Sequence, residues 1–189
     1  ADVRNLIADM HGVSADQVVM GNGLDEIIFL LMDAFGLGRR VVVQSPSFSE
    51  YIAAAMVGGA ELVRVPLPGT LQPDVDSLAS AAGDDGQCII MLCNPHSPTG
   101  GRVSSGDVAR LVEATRGLVV VDEAYIDFCG DSALPLLTMP LGKRIVILRT
   151  LSKAFGAAGL RLGYSISSPE VAMELEKVRQ PFNLDSLSL

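Results

Sequence analysis

Residues 88–125 read CIIMLCNPHSPTGGRVSSGDVARLVEATRGLVVVDEAY and decide the fold. Two apolar runs, Cys88–Cys93 and Leu118–Val121, flank a helical stretch at Asp107–Thr115. Because neither run alternates between polar and apolar residues, each indicates a strand buried on both faces. The strand–helix–strand order predicts a right-handed crossover between parallel strands, with helices covering the sheet.

The same alternation continues on both sides of this unit. Further strands are predicted at Val18–Met20, Val41–Gln44, Glu61–Val65, Arg144–Arg149 and Leu162–Ser167, and further helices at Asp2–Met10, Leu24–Phe35, Ser47–Met56 and Val75–Ala82. We therefore predict an α/β fold, a three-layer α/β/α sandwich around a mostly parallel sheet. Right-handed crossovers would bring the carboxyl end of every strand to one edge, where such sheets bind ligands.

The composition fits one large domain and argues against several classes of function. Of the 189 residues, 49% are apolar and 19% are charged, which is enough to bury a sizeable core. The net charge of −8 argues against nucleic acid as a partner, and no apolar run is long enough to predict a membrane span. Cys88, Cys93 and Cys129 lack metal-site spacing, which predicts reduced thiols in a cytoplasmic protein without a metal site.

A turn that contains two glycines follows the first predicted strand. Gly21-Asn22-Gly23 leads directly into a predicted helix, so the amides of Leu24 and Asp25 would be exposed at the helix N-terminus. Such amides, aided by the helix dipole, can bind a phosphate. The turn lacks the third glycine of a dinucleotide-binding pattern, and taken alone it can equally be a structural turn.

Two further strand ends carry side chains that suit a flat ligand. Phe48 follows the strand at Val41–Gln44, and an aromatic ring there can stack on a ligand or pack on the helix below. Asn94 begins the stretch NPHSPTG at 94–100, whose two prolines and glycine predict a rigid turn that aims the Asn94 amide. His96 in this turn is interpreted as a loop residue rather than a catalyst.

An acidic pair, Asp122 and Glu123, follows the strand at Leu118–Val121 and precedes Tyr125. A carboxylate at the end of a buried strand is costly unless a cation or a hydrogen-bond donor meets it. The acidic pair therefore predicts a cation or a hydrogen-bond donor in contact with its carboxylates. A protonated ring nitrogen of a ligand would serve, and a structural salt bridge is the alternative.

A lysine and an arginine follow the strand at Arg144–Arg149. Lys153 stands beside small hydroxyl residues, and Arg161 lies eight positions further on. A partly desolvated lysine can free its amine for Schiff-base chemistry, and an arginine can bind phosphate through two parallel hydrogen bonds. A lone lysine is usually a solvated surface residue. Together with the acid and the aromatic ring, however, this pair suits a ligand that carries a phosphate, a flat ring, a basic nitrogen and a carbonyl.

In their order along the chain, these segments resemble the fold-type I pyridoxal 5′-phosphate (PLP) aminotransferases. GNGLDE at 21–26 is similar to the family's phosphate loop, residues 94–100 to NPxxPTG, and residues 122–125 to DEAY. Ser152-Lys153 resembles the motif of the Schiff-base lysine, and residues 159–163 resemble GLRxG. The resemblance covers nearly the whole chain and implies the large PLP-binding domain of that family over residues 1–189.

The resemblance implies which residues contact the cofactor ring. Lys153 would hold PLP as a Schiff base and then move the proton between the substrate Cα and C4′ of the cofactor. Asp122 would pair with the pyridinium nitrogen. Asn94 and Tyr125 would bind the phenolic oxygen, and Phe48 would stack on the ring. Lys153, Asp122 and Tyr125 are the predicted catalytic residues.

The resemblance also implies how the phosphate is held. The amides of Leu24 and Asp25, together with Ser152 and Arg161, would bind it, with Thr150 nearby. The predicted cofactor-binding residues are Gly23, Leu24, Asp25, Phe48, Asn94, Asp122, Tyr125, Thr150, Ser152, Lys153 and Arg161.

Three segments narrow the resemblance to the histidinol-phosphate aminotransferases: DEAYIDF at 122–128, RTLSKAFGAAGLRLGY at 149–164 and VRQPFNLDSLSL at 178–189. It implies amino transfer from L-histidinol phosphate to 2-oxoglutarate, giving imidazole acetol phosphate and glutamate in histidine biosynthesis. Threonine-phosphate decarboxylases and aromatic amino-acid aminotransferases share many of these motifs and stay open as alternatives. An aminotransferase-like sensor domain of a transcription regulator is a further, less favoured one.

The resemblance finally implies parts that the printed sequence lacks. Relatives carry an N-terminal arm, whose tyrosine reaches the phosphate site of the neighbouring subunit. They also carry a C-terminal small domain, whose arginine recognises the substrate carboxylate. We therefore expect a homodimer that binds an amino donor and a 2-oxo acid, and Phe182–Leu189 is interpreted as the start of a further element.

Overall fold

A seven-stranded sheet forms the centre of the molecule in a computed structural model, which describes residues 3–185. The strands are β1 (Val18–Asn22), β2 (Arg40–Ser45), β3 (Glu61–Pro66), β4 (Cys88–Cys93), β5 (Leu118–Asp122), β6 (Ile145–Thr150) and β7 (Leu162–Ser167). The α-helices are α1 (Val3–His11), α2 (Gly23–Phe35), α3 (Ser49–Val57), α4 (Val75–Ala82), α5 (Ser105–Ala114) and α6 (Pro169–Val178).

The sheet is mostly parallel, as predicted, and its strand order is β1-β7-β6-β5-β4-β2-β3. Strand β7 is the exception, because it pairs antiparallel with both β6 and β1. The prediction that every strand presents its carboxyl end at one edge is therefore wrong for β7, which presents Leu162, its first residue. The loop at 151–161 is too short for a crossover to a parallel neighbour, so the chain turns back beside β6.

Helices cover both faces of the sheet, and each face has its own apolar core. Helices α1, α4 and α5 pack on one face, whereas α2, α3 and α6 pack on the other. Because neighbouring residues of a strand point in opposite directions, Ile90 and Val119 belong to the first core, and Ile89 and Val120 to the second. The predicted three-layer sandwich is confirmed.

All seven predicted strands are confirmed, and the main omission is helix α6. This helix has a recognisable start, since Pro169 is its first residue and the Ser168 hydroxyl accepts a hydrogen bond from the Val171 N–H at 3.4 Å. The first predicted helix is present as α1, and Asp2, its predicted first residue, lies outside the described residues. None of the helices within residues 3–185 is long and apolar enough to cross a membrane.

The further element expected at Phe182–Leu189 is only partly covered by the structure. Residues 182–185 form a turn and bends rather than a helix or a strand. Residues 186–189 lie outside the described part of the chain, so the expectation is not decided there.

Candidate cofactor-binding site

A cavity of about 230 Å³ opens at the edge of the sheet where β4, β5 and β6 end. Its lining residues are Leu24, Asp25, Phe48, Tyr51, Cys93, Ser97, Asp122, Ala124, Tyr125, Thr150, Ser152, Lys153 and Arg161. All of the predicted cofactor-binding residues except Gly23 and Asn94 are among them. Residues from six segments of the chain thus converge because their strands end, or in the case of β7 begin, at the same edge.

Asp122, the last residue of β5, forms the floor of the cavity and is 5% exposed. Its Oδ2 accepts a hydrogen bond from the Tyr51 hydroxyl at 2.5 Å, and its Oδ1 accepts one from the Ala124 N–H at 2.9 Å. Burial raises the pKa of the Asp122 carboxyl, although both hydrogen bonds and the charge of Lys153 act in the opposite direction. None of the ion pairs within residues 3–185 includes Asp122. The carboxylate can therefore take a cationic group of a ligand.

For the acidic pair Asp122 and Glu123, the sequence left a structural salt bridge open as the alternative to a ligand contact. Glu123 forms such a salt bridge. Its Oε2 lies 2.8 Å from Nη2 of Arg149, and it also accepts hydrogen bonds from the Ser132 hydroxyl and the Ala133 N–H. Glu123 is fully buried and Arg149 is 8% exposed. Glu123 does not line the cavity, so its role is structural, whereas Asp122 remains available to a ligand.

The turn between β1 and α2 packs closely against the start of β7. Gly23 has a φ of 78°, and its N–H donates a hydrogen bond to the Arg161 carbonyl oxygen at 2.6 Å. A Cβ atom at Gly23 would lie 2.3 Å from Nη2 of Arg161, so a side chain here would displace the guanidinium. Nη2 also lies 3.0 Å from Oδ2 of Asp25. The first amides of α2 and one guanidinium therefore share a small region that suits an anion.

Lys153 and two aromatic rings form the wall and the mouth of the cavity. The Nζ atom of Lys153 lies 5.2 Å from the centroid of the Tyr125 ring. Phe48 is 36% exposed and meets the ring of Tyr51 edge-on, with 5.6 Å between centroids and 83° between planes. None of the ion pairs within residues 3–185 includes Lys153, so its amine can react with a carbonyl group of a ligand.

Asn94 and Thr150 adjoin the cavity and tie its loops to the backbone. The Asn94 side chain bonds both backbone groups of Val103, with Oδ1 accepting at 2.9 Å and Nδ2 donating at 3.0 Å. An Asn amide has two N–H groups, so one remains for a ligand. The Thr150 hydroxyl donates to the Leu162 carbonyl oxygen at 3.3 Å and accepts from the Ser152 N–H at 3.1 Å. These bonds fix the loop that carries Ser152 into the cavity.

Sequence reasoning missed four lining residues, Tyr51, Cys93, Ser97 and Ala124. Cys93 was predicted as a buried reduced thiol, and it is buried and free. Its Sγ accepts a hydrogen bond from the Ser97 N–H at 3.3 Å, and burial raises its pKa to about 12, so the thiol stays protonated. The available signal for Tyr51 was its position three residues after Phe48, which places two aromatic rings within one helical turn.

Residues 1–189 match the family of class I and II aminotransferases. The chain belongs to this family. The histidinol-phosphate aminotransferase of Chlorobium phaeovibrioides is 42% identical to this family member over 178 residues, which are 93% of this chain and 49% of the relative. That of Caldanaerobacter subterraneus is 39% identical over 187 residues, 98% of this chain and 53% of the relative. This aminotransferase-family chain thus spans about half the length of the curated relatives it matches.

A solved structure of the family has the same fold. The crystal structure of histidinol-phosphate aminotransferase from Sinorhizobium meliloti in complex with pyridoxal 5′-phosphate superposes with a TM-score of 0.90 at 27% identity. The match covers 99% of this chain and 52% of that one. The resemblance noted in the sequence is therefore confirmed at the level of family and fold.

Proposed function

We propose that residues 1–189 are the large PLP-binding domain of an aminotransferase that acts on L-histidinol phosphate and 2-oxoglutarate in histidine biosynthesis. The observation that carries the proposal is one cavity lined by a lysine, a buried acid and an arginine, Lys153, Asp122 and Arg161. The names of the relatives that are 42% and 39% identical support the choice of substrate.

The residues present fit PLP group by group. Asp122 is buried, and none of the ion pairs within residues 3–185 includes it, which suits a protonated pyridine nitrogen. At the other end, Gly23 leaves room for the Arg161 guanidinium beside the first amides of α2, which suits a phosphate dianion. Phe48 stands at the mouth, where its ring can cover a flat ligand, and Tyr125 lines the same cavity near the amine of Lys153.

The chain's own residues would hold the cofactor and move one proton. The Lys153 amine would bind the aldehyde carbon, and Asp122 would hold the proton on the ring nitrogen. When bound, PLP supplies an electron-withdrawing ring that stabilises negative charge developing at the substrate Cα. The Lys153 amine would also be the base that accepts the proton from the substrate Cα and later returns it. Tyr125 and the remaining N–H of Asn94 would bind the phenolic oxygen.

In this proposal, the full-length enzyme works as a homodimer in the cytoplasm and binds an amino donor and a 2-oxo acid. This part of the proposal rests on the family resemblance and on the biosynthetic role of the named relatives. The N-terminal arm and the small domain of such enzymes would complete the substrate site.

The first test is covalent trapping of the cofactor. Full-length protein incubated with PLP should show a visible absorbance, which borohydride reduction converts into an adduct on Lys153 that peptide mass spectrometry locates. Lys153→Ala should lose both the adduct and amino transfer, because no other amine lines the cavity within residues 3–185. Lys143→Ala is the matched control, since Lys143 lies outside the cavity. An adduct that persists in the Lys153→Ala protein would contradict the proposal.

A second assay separates the possible reactions at this cofactor. Glutamate-dependent amino transfer to imidazole acetol phosphate should proceed, and no CO₂ should be released from an amino-acid phosphate. Release of CO₂ with no amino transfer would replace the aminotransferase by a decarboxylase that uses the same residues.

A further inference from the structure

A buried tyrosine hydroxyl contacts the acid at the floor of the cavity. Tyr51, in the first turn of α3, is fully buried in the core that α2, α3 and α6 form on one face of the sheet, and its hydroxyl donates to Oδ2 of Asp122 at 2.5 Å. We propose that Tyr51 is a positioning residue, which orients the Asp122 carboxylate and keeps the shared proton on the ring nitrogen of the cofactor. The inference rests on the proposed function and deepens it.

The geometry fixes both oxygens of the carboxylate. Oδ1 accepts the Ala124 N–H at 2.9 Å, and Oδ2 accepts the Tyr51 hydroxyl, so rotation of the carboxylate would break one bond or the other. The Ala124 donor belongs to the backbone and is present whatever the side chains are. Tyr51 is therefore the side chain that determines the orientation of Asp122 toward the cavity.

The proton of this hydrogen bond stays on the tyrosine. Burial, followed by the nearby charge of Asp122, raises the pKa of Tyr51 well above its usual value. Burial also raises the pKa of Asp122, but its hydrogen bond with Tyr51 acts in the opposite direction. The neighbouring thiol of Cys93 stays protonated as well. Asp122 is thus the acid of this group that ionises, and Tyr51 is a donor to it.

A donor to Oδ2 changes where the proton lies between Asp122 and a pyridine nitrogen. Stabilising the carboxylate makes it a weaker base, so the proton shared with the nitrogen moves toward the nitrogen. Removing the donor makes Asp122 a stronger base and draws the proton away from the ring. The tyrosine therefore acts on the cofactor through Asp122.

The test uses the holoenzyme loaded with PLP that carries ¹⁵N in the ring. In Tyr51→Phe, the ¹⁵N resonance should move toward that of neutral pyridine. The dissociation constant of PLP, measured by fluorescence titration, should rise about tenfold or more, which is the effect of losing one hydrogen bond to a charged group. Replacing Tyr51 by 3-fluorotyrosine keeps the shape and makes a stronger donor, so the resonance should move in the opposite direction.

The matched control is Tyr164→Phe. Tyr164 is also buried, and its hydroxyl bonds His11 at 2.8 Å in the other core, so the same change there should leave both readouts as in the unmodified protein. If PLP binds and Tyr51→Phe leaves the resonance and the dissociation constant unchanged, the role of Tyr51 is refuted while the proposed function stands. If the unmodified protein binds no PLP, the proposed function itself fails.

Discussion

Two neighbouring carboxyl groups at the end of β5 have different surroundings: one faces the cavity and the other forms a buried ion pair. Asp122 faces the cavity, and its side-chain hydrogen-bond partners in the described part of the chain are two neutral donors, Tyr51 and Ala124. Glu123, one residue later, lies against Arg149 in a buried ion pair. Successive side chains of an extended chain point to opposite sides, so a shift of one residue would exchange the ligand-binding acid and the structural acid.

At the residue scale, the sharpest prediction concerns Asp122. Asp122→Ala should retain some PLP through Lys153 and the phosphate contacts, but kcat should fall by about 100-fold or more, because the counter-charge of the ring nitrogen is lost. Steady-state kinetics at saturating PLP would measure this. Asp76→Ala, an acid on the exposed surface of α4, is the control and should keep normal turnover. Near-native kcat in Asp122→Ala would show that the role assigned to this acid is wrong.

The residue types of the site could be predicted from sequence, but one key partner could not. Lys153, Asp122 and Arg161 are recognisable because charged residues that directly follow buried strands need a reason to be there. Tyr51 gave only a weak signal, its spacing from Phe48, because a tyrosine near the start of a helix is equally typical of a core. Its proposed role depends on a contact with a residue 71 positions later, and only the folded chain brings its hydroxyl to the end of β5.

At the element scale, strand β7 is tied to the turn that precedes α2. Gly163 pairs with Gly21 across the sheet, and a Cβ atom at Gly163 would lie 2.5 Å from backbone atoms of Gly23 and Leu24. Two backbones approach each other here, and no flexible side chain can move aside. The position of the turn proposed to bind the phosphate is therefore set by β7.

Gly163→Ala should consequently push this turn away from Arg161 and weaken cofactor binding. We expect the PLP dissociation constant to rise by at least about tenfold, since an overpacked contact of this kind costs on the order of 1–3 kcal/mol. Gly159→Ala is the matched control, because nothing lies within 4 Å of the added Cβ atom there. Equal PLP affinity in the two variants would mean that the turn is not held by β7.

The elements themselves were largely predictable, whereas their directions were not. Apolar runs identified all seven strands. In β4 and β5 the run is continuous because both faces are buried, whereas β3 is only partly buried and carries Glu61 and Arg64 within its run. The same runs carry no information about direction, so β7 was wrongly expected to run parallel. Its reversal follows from the length of the loop at 151–161, which is a property of the connection and not of the strand.

At the scale of the whole molecule, the buried ion pair of Glu123 and Arg149 joins β5 and β6 to the segment at 132–133. Arg149→Leu should destabilise the fold by about 3–5 kcal/mol, because it leaves Glu123 charged and unpaired in the core. Urea denaturation followed by circular dichroism would measure the change. Lys177→Leu, which removes one member of an exposed ion pair with Glu174, should leave the midpoint unchanged. A similar midpoint for both variants would show that the buried pair is not needed for stability.

Because β7 returns beside β6, the loop at 151–161 that joins them has little freedom to change in length. Leu151 donates to the Leu162 carbonyl oxygen, and Ala157 donates back to Leu151, so the eleven-residue span is closed on itself at its base. Lys153 and Arg161 both belong to this closed loop, so the length of the loop sets the distance between their side chains. One inserted or deleted residue would therefore change the distance between amine and guanidinium, and with it the fit of a rigid ligand that bridges them.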